Sequence, residues 1–213
     1  RFFYLYVPYR DQTDLPLFNS RDLTFDWPAL FRTNRFGGAD RQSDANQATI
    51  ALTTRFYEQD TGLERLSASL GRITYFDTPL VTLPSSPALP NSGSAWVAQV
   101  DWTLSDNWNL GLTHQWDPDS KQTQLSGLRT QVRWAGGGLF NAAYRYRKNS
   151  LEQTDMSFRI PVRKDWNLIG RWNYSIQDGK SLESLLGVEW KSCCVALRVL
   201  GRDYIRTFDG KSN

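Results

Sequence analysis

The sequence predicts an all-β protein, an antiparallel transmembrane β-barrel of the outer membrane. Three observations predict this class: apolar and polar side chains alternate with a period of two, the alternating segments are about ten residues long, and aromatic residues recur near their ends. The stretch from residue 166 to 177 is the clearest example. One face of its strand carries Trp166, Leu168, Trp172, Tyr174 and Ile176, and the other Asn167, Arg171, Asn173, Ser175 and Gln177. Such a strand suits a wall between lipid and a wet lumen.

Composition limits the alternatives. The chain has 213 residues, of which 40% are hydrophobic, 14% aromatic and 22% charged, and its mean hydropathy is -0.52. No stretch approaches the roughly 18 consecutive apolar residues of a spanning helix, which excludes a helical membrane protein. The 9 Trp, 9 Tyr and 11 Phe suit the aromatic girdles of a barrel. The net charge of +3 comes from dispersed Lys and Arg, which argues against a nucleic-acid partner.

The alternation predicts about eleven strands. We expect them at Arg1–Val7, Asn46–Glu58, Leu63–Phe76, Ala95–Leu104, Trp108–Trp116, Gln124–Trp134, Leu139–Arg147, Thr154–Val162, Trp166–Ile176, Leu182–Lys191 and Cys194–Tyr204. One face of the second strand carries Ile50, Leu52 and Phe56, and the other carries Thr49, Thr53 and Arg55. One face of the fourth carries Trp96, Ala98, Val100, Trp102 and Leu104, and the other carries Val97, Gln99, Asp101 and Thr103. The third strand changes phase at Gly71, where a bulge is expected.

The later strands follow the same rule. In the fifth strand one face carries Trp108, Leu110, Leu112 and Trp116, and the other carries Asn109, Thr113 and Gln115. In the seventh the two faces carry Phe140, Ala142, Tyr144 and Tyr146 against Asn141, Arg145 and Arg147. In the eighth they carry Met156, Phe158, Ile160 and Val162 against Ser157, Arg159 and Arg163. This repetition along most of the chain predicts one continuous sheet with an apolar and a polar face.

Connection lengths are also predicted to alternate. Short turns are expected at Asp60–Gly62, Ser105–Asn107, Ala135–Gly138, Arg163–Asp165 and Ser192–Cys193, and longer loops at Pro8–Ser43, Asp77–Ser94, Asp117–Thr123, Lys148–Gln153 and Gln177–Ser181. Barrels of this class have short periplasmic turns and longer external loops, so the Ser192–Cys193 turn is expected on the periplasmic side. Five tryptophans beside short turns would form the inner girdle: Trp102, Trp108, Trp134, Trp166 and Trp190. Trp96, Trp116 and Tyr174 lie toward the other end.

Two structural alternatives bear on this prediction. A soluble sandwich of hairpins explains the period of two but not the tryptophan girdles or the alternating connections. An odd number of strands does not suit a bacterial barrel, which is closed and even-numbered. The chain opens at Arg1, has a single methionine at Met156 and ends at Asn213, so we expect a fragment of a larger barrel.

Several segments resemble the C-terminal barrel of the outer-membrane lipopolysaccharide assembly proteins, the LptD family. They are Tyr4–Gln12 (YLYVPYRDQ), Leu30–Arg41 (LFRTNRFGGADR), Ala45–Gln47, Thr53–Phe56, Glu64–Gly71 and Ser192–Cys194. These segments run in family order through the chain, while residues 77–155 match only in pattern. YVPYRDQ and the paired cysteines are the specific motifs.

The resemblance implies a barrel of about 26 strands, of which residues 1–213 supply roughly strands 15 to 25, with the segment 8–43 as a long loop within it. It implies a lipoprotein plug of the LptE type, lipopolysaccharide as cargo, and delivery by periplasmic bridge proteins through an N-terminal periplasmic domain. It also implies a lateral opening between the first and last strands. On this alignment the periplasmic domain, the first half of the barrel and the last strand lie outside the chain.

Cys193 and Cys194 are the only cysteines, and they are adjacent. A bond between neighbouring cysteines closes a strained ring, so partners elsewhere are favoured in an oxidising compartment. Two buried or free thiols are the alternative. The resemblance implies that both bond to cysteines of the periplasmic domain. One His and two Cys cannot supply the usual four ligands of a zinc site, and we expect no metal and no cofactor.

Basic side chains are expected on the lumen face. They are Arg55, Arg129, Arg133, Arg145, Arg147, Arg159, Arg163, Arg171 and Arg198. One interpretation is a positive lumen that tolerates a phosphorylated glycolipid or an anionic partner. The other is an ordinary polar wall balanced by Asp101, Glu183 and Glu189.

The segment Pro8–Ser43 is too long for an ordinary hairpin loop. It contains Leu15, Leu17, Phe18, Phe25, Trp27, Leu30, Phe31 and Phe36, too many apolar residues for a solvated tail. We expect it to fold against the lumen or the plug, with an external cap as the alternative.

Three functions are compatible with a barrel of this kind. The first is translocation of lipopolysaccharide into the outer leaflet, without enzymatic activity. The second is a barrel enzyme of the phospholipase or acyltransferase kind, which would need His114 beside a serine and an orienting polar group. The third is a passive porin-like channel. Vicinal cysteines in a periplasmic turn favour the first over the third.

Overall fold

The protein is an all-β chain whose main feature is one antiparallel sheet of eleven strands. A computed structural model describes residues 1–84 and 92–205. In this sheet each strand pairs with the next one along the chain, and the strand before the long loop pairs with the strand after it. Its strands are β1 (Phe2–Val7), β4 (Ala45–Tyr57), β5 (Glu64–Tyr75), β6 (Trp96–Ser105), β7 (Trp108–Asp117), β8 (Gln122–Trp134), β9 (Gly138–Arg147), β10 (Leu151–Arg163), β11 (Trp166–Ser175), β12 (Lys180–Lys191) and β13 (Ala196–Tyr204).

Each of the eleven predicted strands is present, with small shifts at the ends. The largest shift is in β10, which begins three residues before the predicted Thr154. β8 and β12 begin two residues before their predicted starts, and β13 begins two residues after the predicted Cys194. Two short strands in the long loop, β2 (Arg21–Asp22) and β3 (Phe36–Gly37), pair with each other and were not predicted. Part of the predicted Asp77–Ser94 loop and the last eight residues lie outside the described residues.

The predicted alternation of short and long connections is only partly correct. The segments 8–44 and 76–95 are long, but 118–121, 148–150 and 176–179 are no longer than the turn 192–195 or the connection 58–63. The reason is that β8, β10 and β12 begin earlier than predicted, because polar residues such as Gln122, Gln153 and Lys180 continue the backbone pairing. The assignment of the Cys193–Cys194 turn to one side therefore rests on strand parity, not on loop length.

The chain divides into two compact units. The first consists of Arg1–Phe56, Ser67–Val100 and His114–Gln124, and it contains the long loop with its buried apolar side chains. The second consists of Tyr57–Leu66, Asp101–Thr113 and Leu125–Asn213. From β8 to β13 the strands pair with regular register, apart from irregularities near Pro161–Arg163 and Asn173–Tyr174.

The two faces of the second unit differ as the alternation predicts. Large apolar side chains on one face are open to the surroundings: Trp102, Trp108, Trp166 and Trp172 are each 44–46% exposed. The other face carries polar partners in register, for example Asn167 opposite Glu189 and Asn173 opposite Glu183. We call these the apolar face and the polar face. No helix among the described residues is long and apolar enough to cross a membrane.

Candidate functional site

The polar face of the second unit is a network of arginines and carboxylates. Its centre is Glu189 on β12, which is only 4% exposed. Glu189 Oε1 accepts hydrogen bonds from Arg159 on β10 at 3.0 Å and from Asn167 on β11 at 3.3 Å. Its Oε2 accepts one from Arg198 on β13 at 2.5 Å. One carboxylate thus joins four successive strands, and its burial is offset by three donors.

A second network lies on the same face. Arg171 on β11 bridges Asp155 on β10 at 2.6 Å and Glu183 on β12 at 3.4 Å. Glu183 also pairs with Arg202 on β13 at 2.7 Å. These charges lie on neighbouring strands at same-face positions, where opposite charges stabilise the sheet.

A third ion pair reaches across an intervening strand. Arg129 on β8 donates to Asp101 on β6 at 2.5 Å, and its side chain passes over Gly111 on β7. A Cβ added to Gly111 would lie 2.9 Å from Arg129 Cγ. The glycine is therefore what leaves room for the arginine to cross.

The predicted basic residues do not form one positive patch. Four of them, Arg129, Arg159, Arg171 and Arg198, are paired with carboxylates. Arg55 and Arg147 have partners as well. Arg133, Arg145 and Arg163 make no ion pair with the described residues. The positive charges of the polar face are thus largely balanced by carboxylates, which include Asp101, Glu183 and Glu189.

In the first unit, the long loop lies on the polar face of the strands. Leu30 is fully buried against Ile73 on β5 and Val97 on β6. Its carbonyl accepts a hydrogen bond from the Thr49 hydroxyl on β4 at 2.7 Å, and the Gln115 amide on β7 donates to the Phe25 carbonyl at 2.6 Å. The loop thus packs against the polar face of these strands, and its expected position against the lumen or the plug stays a prediction. Phe18, another apolar residue of the loop, is 82% exposed.

Local chemistry explains why the loop makes a tight turn at Leu30. A short 3-10 turn spans Pro28–Phe31, with Pro28 at its start, where a missing N–H costs nothing. The Asp26 carboxylate accepts the N–H of Ala29 at 2.9 Å and pairs with Arg32 at 3.3 Å. The sequence DWPALF thus presents Leu30 to the strands.

The predicted bulge at Gly71 remains a prediction, but the structure shows another reason for this glycine. A Cβ at Gly71 would lie 2.7 Å from Leu30 Cδ1 and 3.0 Å from Ala51 Cβ. Ile73 shares the face of Gly71 and is apolar because the loop covers it. The change of pattern in this strand therefore marks where the loop lies.

Side chains of the motif segments hold the loop in place. Asp40 Oδ2 accepts the N–H groups of Phe18, Asn19 and Ser20 at 3.1, 2.7 and 3.1 Å. These backbone donors, Asn19 first, lower the pKa of Asp40 below its usual 3.8. Gln12 pairs with the backbone of Gln42 in both directions, at 2.8 and 3.0 Å. We call the Asp40 interaction the loop clasp.

The loop and the strands of the first unit enclose a cavity of about 460 Å³. Apolar side chains, among them Leu23, Phe25 and Ile73, form much of its wall. Polar groups at the wall include Arg35, whose Nη2 donates to the Val81 carbonyl and whose Nε is buried without a partner among the described residues. Burial lowers the pKa of Arg35, which nevertheless stays charged.

Cys193 and Cys194 lie in the turn between β12 and β13, and both thiols are exposed and free. Their Sγ atoms are 2.9 Å apart, and the Ser192 N–H donates to the Val195 carbonyl at 2.9 Å. The contact with Cys194 lowers the pKa of the Cys193 thiol, and the same contact raises the pKa of Cys194. Exposed thiols here are accessible to an outside partner.

His114 on β7 is not part of a catalytic arrangement in the described ranges. It makes no hydrogen bond there to a serine or a carboxylate, and its neighbour Gln115 is engaged with the loop. Among the described residues, the serine and the orienting group that a barrel hydrolase would need are thus not hydrogen-bonded to His114.

Sequence reasoning missed several residues of these networks. Asp155 and Arg202 carry ion pairs, and Gly111 makes room for one. Asp155 lies in phase with Ser157 and Arg159 and was detectable by continuing the alternation. Gly111 had no signal in the sequence, because the need for space arises only when Arg129 on β8 extends across β7 to reach β6.

Comparison with known proteins places this geometry in context. A family model described as "LPS transport system D" (LptD) matches residues 1–190. The LPS-assembly protein LptD of Xanthomonas euvesicatoria pv. vesicatoria (strain 85-10) is 45% identical over 99% of this chain and 28% of that protein. The protein of the same name from Xylella fastidiosa (strain 9a5c) is 46% identical over 99% of this chain and 27% of its own length. The chain thus spans little more than a quarter of these curated relatives.

Proposed function

Because this chain belongs to the LptD family of LPS transport proteins, we propose that it forms part of an outer-membrane barrel that places lipopolysaccharide in the outer leaflet of a Gram-negative bacterium. The observation that carries the proposal is the family match over residues 1–190, together with a sheet whose two faces suit lipid and water. The family is a transport family and not an enzyme family.

Barrel closure is part of this proposal. In the described sheet β1 and β13 are the two outermost strands, so their outer edges have unpaired backbone groups. Such edges are not tolerated in hydrocarbon, where each unpaired group costs several kcal/mol. We infer that further strands continue the sheet on both sides, to a barrel of about 26 strands.

The route of the lipid would follow the polar face. Its charges are mostly paired with one another, which keeps the wall wet without strong binding of a charged group. The lipid would leave by a lateral opening between the first and last strands of the whole barrel. A lipoprotein plug in the lumen and periplasmic bridge proteins would complete the pathway, the latter through an N-terminal domain.

The cysteine turn would connect the barrel to that domain. Cys193 and Cys194 are exposed and unpaired, and a bond between neighbours is strained. Bonds from each to a cysteine of the periplasmic domain would satisfy both thiols and keep the two parts of the lipid route aligned. The contact with Cys194 lowers the pKa of the Cys193 thiol, which favours its thiolate, the form that attacks a disulfide.

A passive channel is the competing function, and the loop argues against it. The segment 25–31 covers the polar face of β4 to β7 in the first unit, where a porin would need open water.

The test is complementation of a strain depleted of its own LptD-type protein by the full-length protein. Lipopolysaccharide at the cell surface is measured by labelling of intact cells. The full-length protein and its His114→Ala variant should both restore surface lipopolysaccharide. Failure of the unmodified protein to restore it overturns the proposal, and selective failure of His114→Ala would favour a barrel enzyme.

A further inference from the structure

The cavity under the long loop contains polar groups that the protein itself does not use. Gln47 on β4 is only 8% exposed, lines the cavity and makes no side-chain hydrogen bond to the described residues. Tyr75 on β5 also lines it, and its hydroxyl has no hydrogen-bond partner in the described ranges. Arg35 Nε is the third such group, and of the three it is the one whose polar atom is itself buried without a partner among the described residues. A buried donor of this kind is costly unless a ligand or water satisfies it.

The charged groups at the cavity wall already have partners within the protein. Asp44 accepts the N–H groups of Leu80 and Val81 at 2.8 and 2.9 Å. Asp117 accepts the hydroxyl of Ser120 at 2.6 Å, and Arg32 pairs with Asp26 outside the cavity lining. With Asp22 the wall holds three carboxylates against two guanidinium groups. This balance disfavours an anion such as phosphate.

The remaining features suit an uncharged polyhydroxylated ligand. Gln47 offers a donor and an acceptor, Tyr75 offers either, and Arg35 Nε offers a donor. Phe25, Leu23 and Ile73 offer apolar surface for the C–H face of a ring. The volume of about 460 Å³ lies in the range of small-ligand sites.

We propose that this cavity binds an uncharged sugar unit of the saccharide part of lipopolysaccharide. The inference rests on the proposed function for the identity of the cargo. It adds that the saccharide is contacted by Gln47 and Tyr75 of the strands and by Arg35 of the loop, so that the loop does not serve only as a cover.

The experiment uses the full-length protein with its membrane partner in detergent micelles. Three probes are titrated: the oligosaccharide obtained from lipopolysaccharide after removal of acyl chains and phosphates, maltose, and inorganic phosphate. Binding is measured by calorimetry and by saturation-transfer NMR. The lipopolysaccharide-derived oligosaccharide should bind, maltose at least tenfold more weakly, and phosphate not at all.

Two variants locate the site. Gln47→Ala and Tyr75→Phe should each weaken oligosaccharide binding about tenfold, and the second barely changes the volume of the side chain. Gln131→Ala, on the polar face but outside the cavity lining, is the matched control and should bind normally. Heat-modified electrophoretic mobility checks that each variant folds.

The outcomes separate this inference from the proposed function. Lack of oligosaccharide binding, equal binding of maltose, binding of phosphate alone, or insensitivity to Tyr75→Phe each overturns it. If the full-length protein restores surface lipopolysaccharide but does not bind the oligosaccharide, the sugar site is wrong and the transport function stands. If it binds the oligosaccharide but does not restore surface lipopolysaccharide, the transport function is wrong.

Discussion

Gly71 lies directly beneath Leu30, with 2.7 Å between the position of a Cβ at residue 71 and Leu30 Cδ1. Ala51 and Trp27 close the other sides of this space, at 3.0 and 3.2 Å. The long loop can therefore reach the strands here only because residue 71 has no side chain.

The first prediction follows from this contact. Gly71→Ala should lift the 3-10 turn from the strands and destabilise the loop by about 1–3 kcal/mol, the usual cost of overpacking. Proteolysis of the segment 25–31 in the full-length protein should become faster. Gly201→Ala is the control, because its nearest neighbour would be 3.8 Å away and its backbone is ordinary. Equal protease sensitivity of both variants would refute the contact.

The second prediction concerns the faces of β7. Leu112 is 40% exposed on the apolar face, and Thr113 points to the polar face, where Asp101 and Asp155 line the same hollow. Leu112→Arg should cost about 2–4 kcal/mol in a bilayer, whereas Thr113→Arg should be nearly silent. Unfolding by urea in lipid vesicles measures both. Equal costs would show that the assignment of faces is wrong.

The third prediction concerns Glu189. Glu189→Gln removes the charge that Arg159 and Arg198 share, at 3.0 and 2.5 Å. Because both arginines are partly exposed, the loss should be moderate, about 1–3 kcal/mol. Asp203→Asn, with no ion pair to the described residues, is the matched control. The same urea titration reports both variants, and an unchanged midpoint for Glu189→Gln would argue that the network contributes nothing.

The fourth prediction concerns the loop clasp. The pKa of Asp40 is lowered in the folded protein, so its stabilising effect is present above the ordinary value of 3.8 and is lost as pH falls through the lowered value. Asp40→Ala should increase hydrogen exchange at residues 18–20 at least tenfold at neutral pH. Asp14→Asn, in the same loop, should leave exchange unchanged. Protection that survives in Asp40→Ala would mean that other contacts hold the loop.

The fifth prediction concerns the cysteine turn. In the full-length protein from oxidising cells, single Cys193→Ser or Cys194→Ser changes should be mild, since one bridge keeps the tether. The double change should severely reduce surface lipopolysaccharide. Non-reducing electrophoresis reports the bridges, and identical migration with and without reductant would exclude them.

The alternation of side chains was enough to locate all eleven strands, because period two is a local property of the chain. For the loop, the sequence indicated only that its apolar residues are too many for a solvated tail; in the structure Leu30 and Phe36 are buried, while Leu15 and Phe18 are exposed. Hydrophobicity alone does not say which apolar residue of a loop meets a surface. That depends on distant residues such as Gly71 and Gln115, which have no local signal.

Connection lengths and charge pairing also depend on distant residues, so local sequence patterns predict them less well. The strand ends were predicted from turn-forming residues. In the structure, polar residues of β10 and β12 extend the backbone hydrogen bonding beyond the predicted ends. The arginines of the polar face were recognised individually, whereas their pairing across two strands, as in Arg129 with Asp101, depends on strand order in space.

The position of the long loop also sets an order of events in folding. The loop packs against β4, β5, β6 and β7, which all come later in the chain than the loop itself. The hydrogen bond from the Gln115 side chain to the Phe25 carbonyl spans 90 residues. Neighbouring strands can pair as soon as each hairpin exists, but this loop has nowhere to dock until four strands are side by side. Until then the apolar side chains of Trp27, Leu30 and Phe31 are not buried against the strands. The folding chain therefore passes through a stage in which this aggregation-prone segment must be shielded by another protein or by the membrane surface.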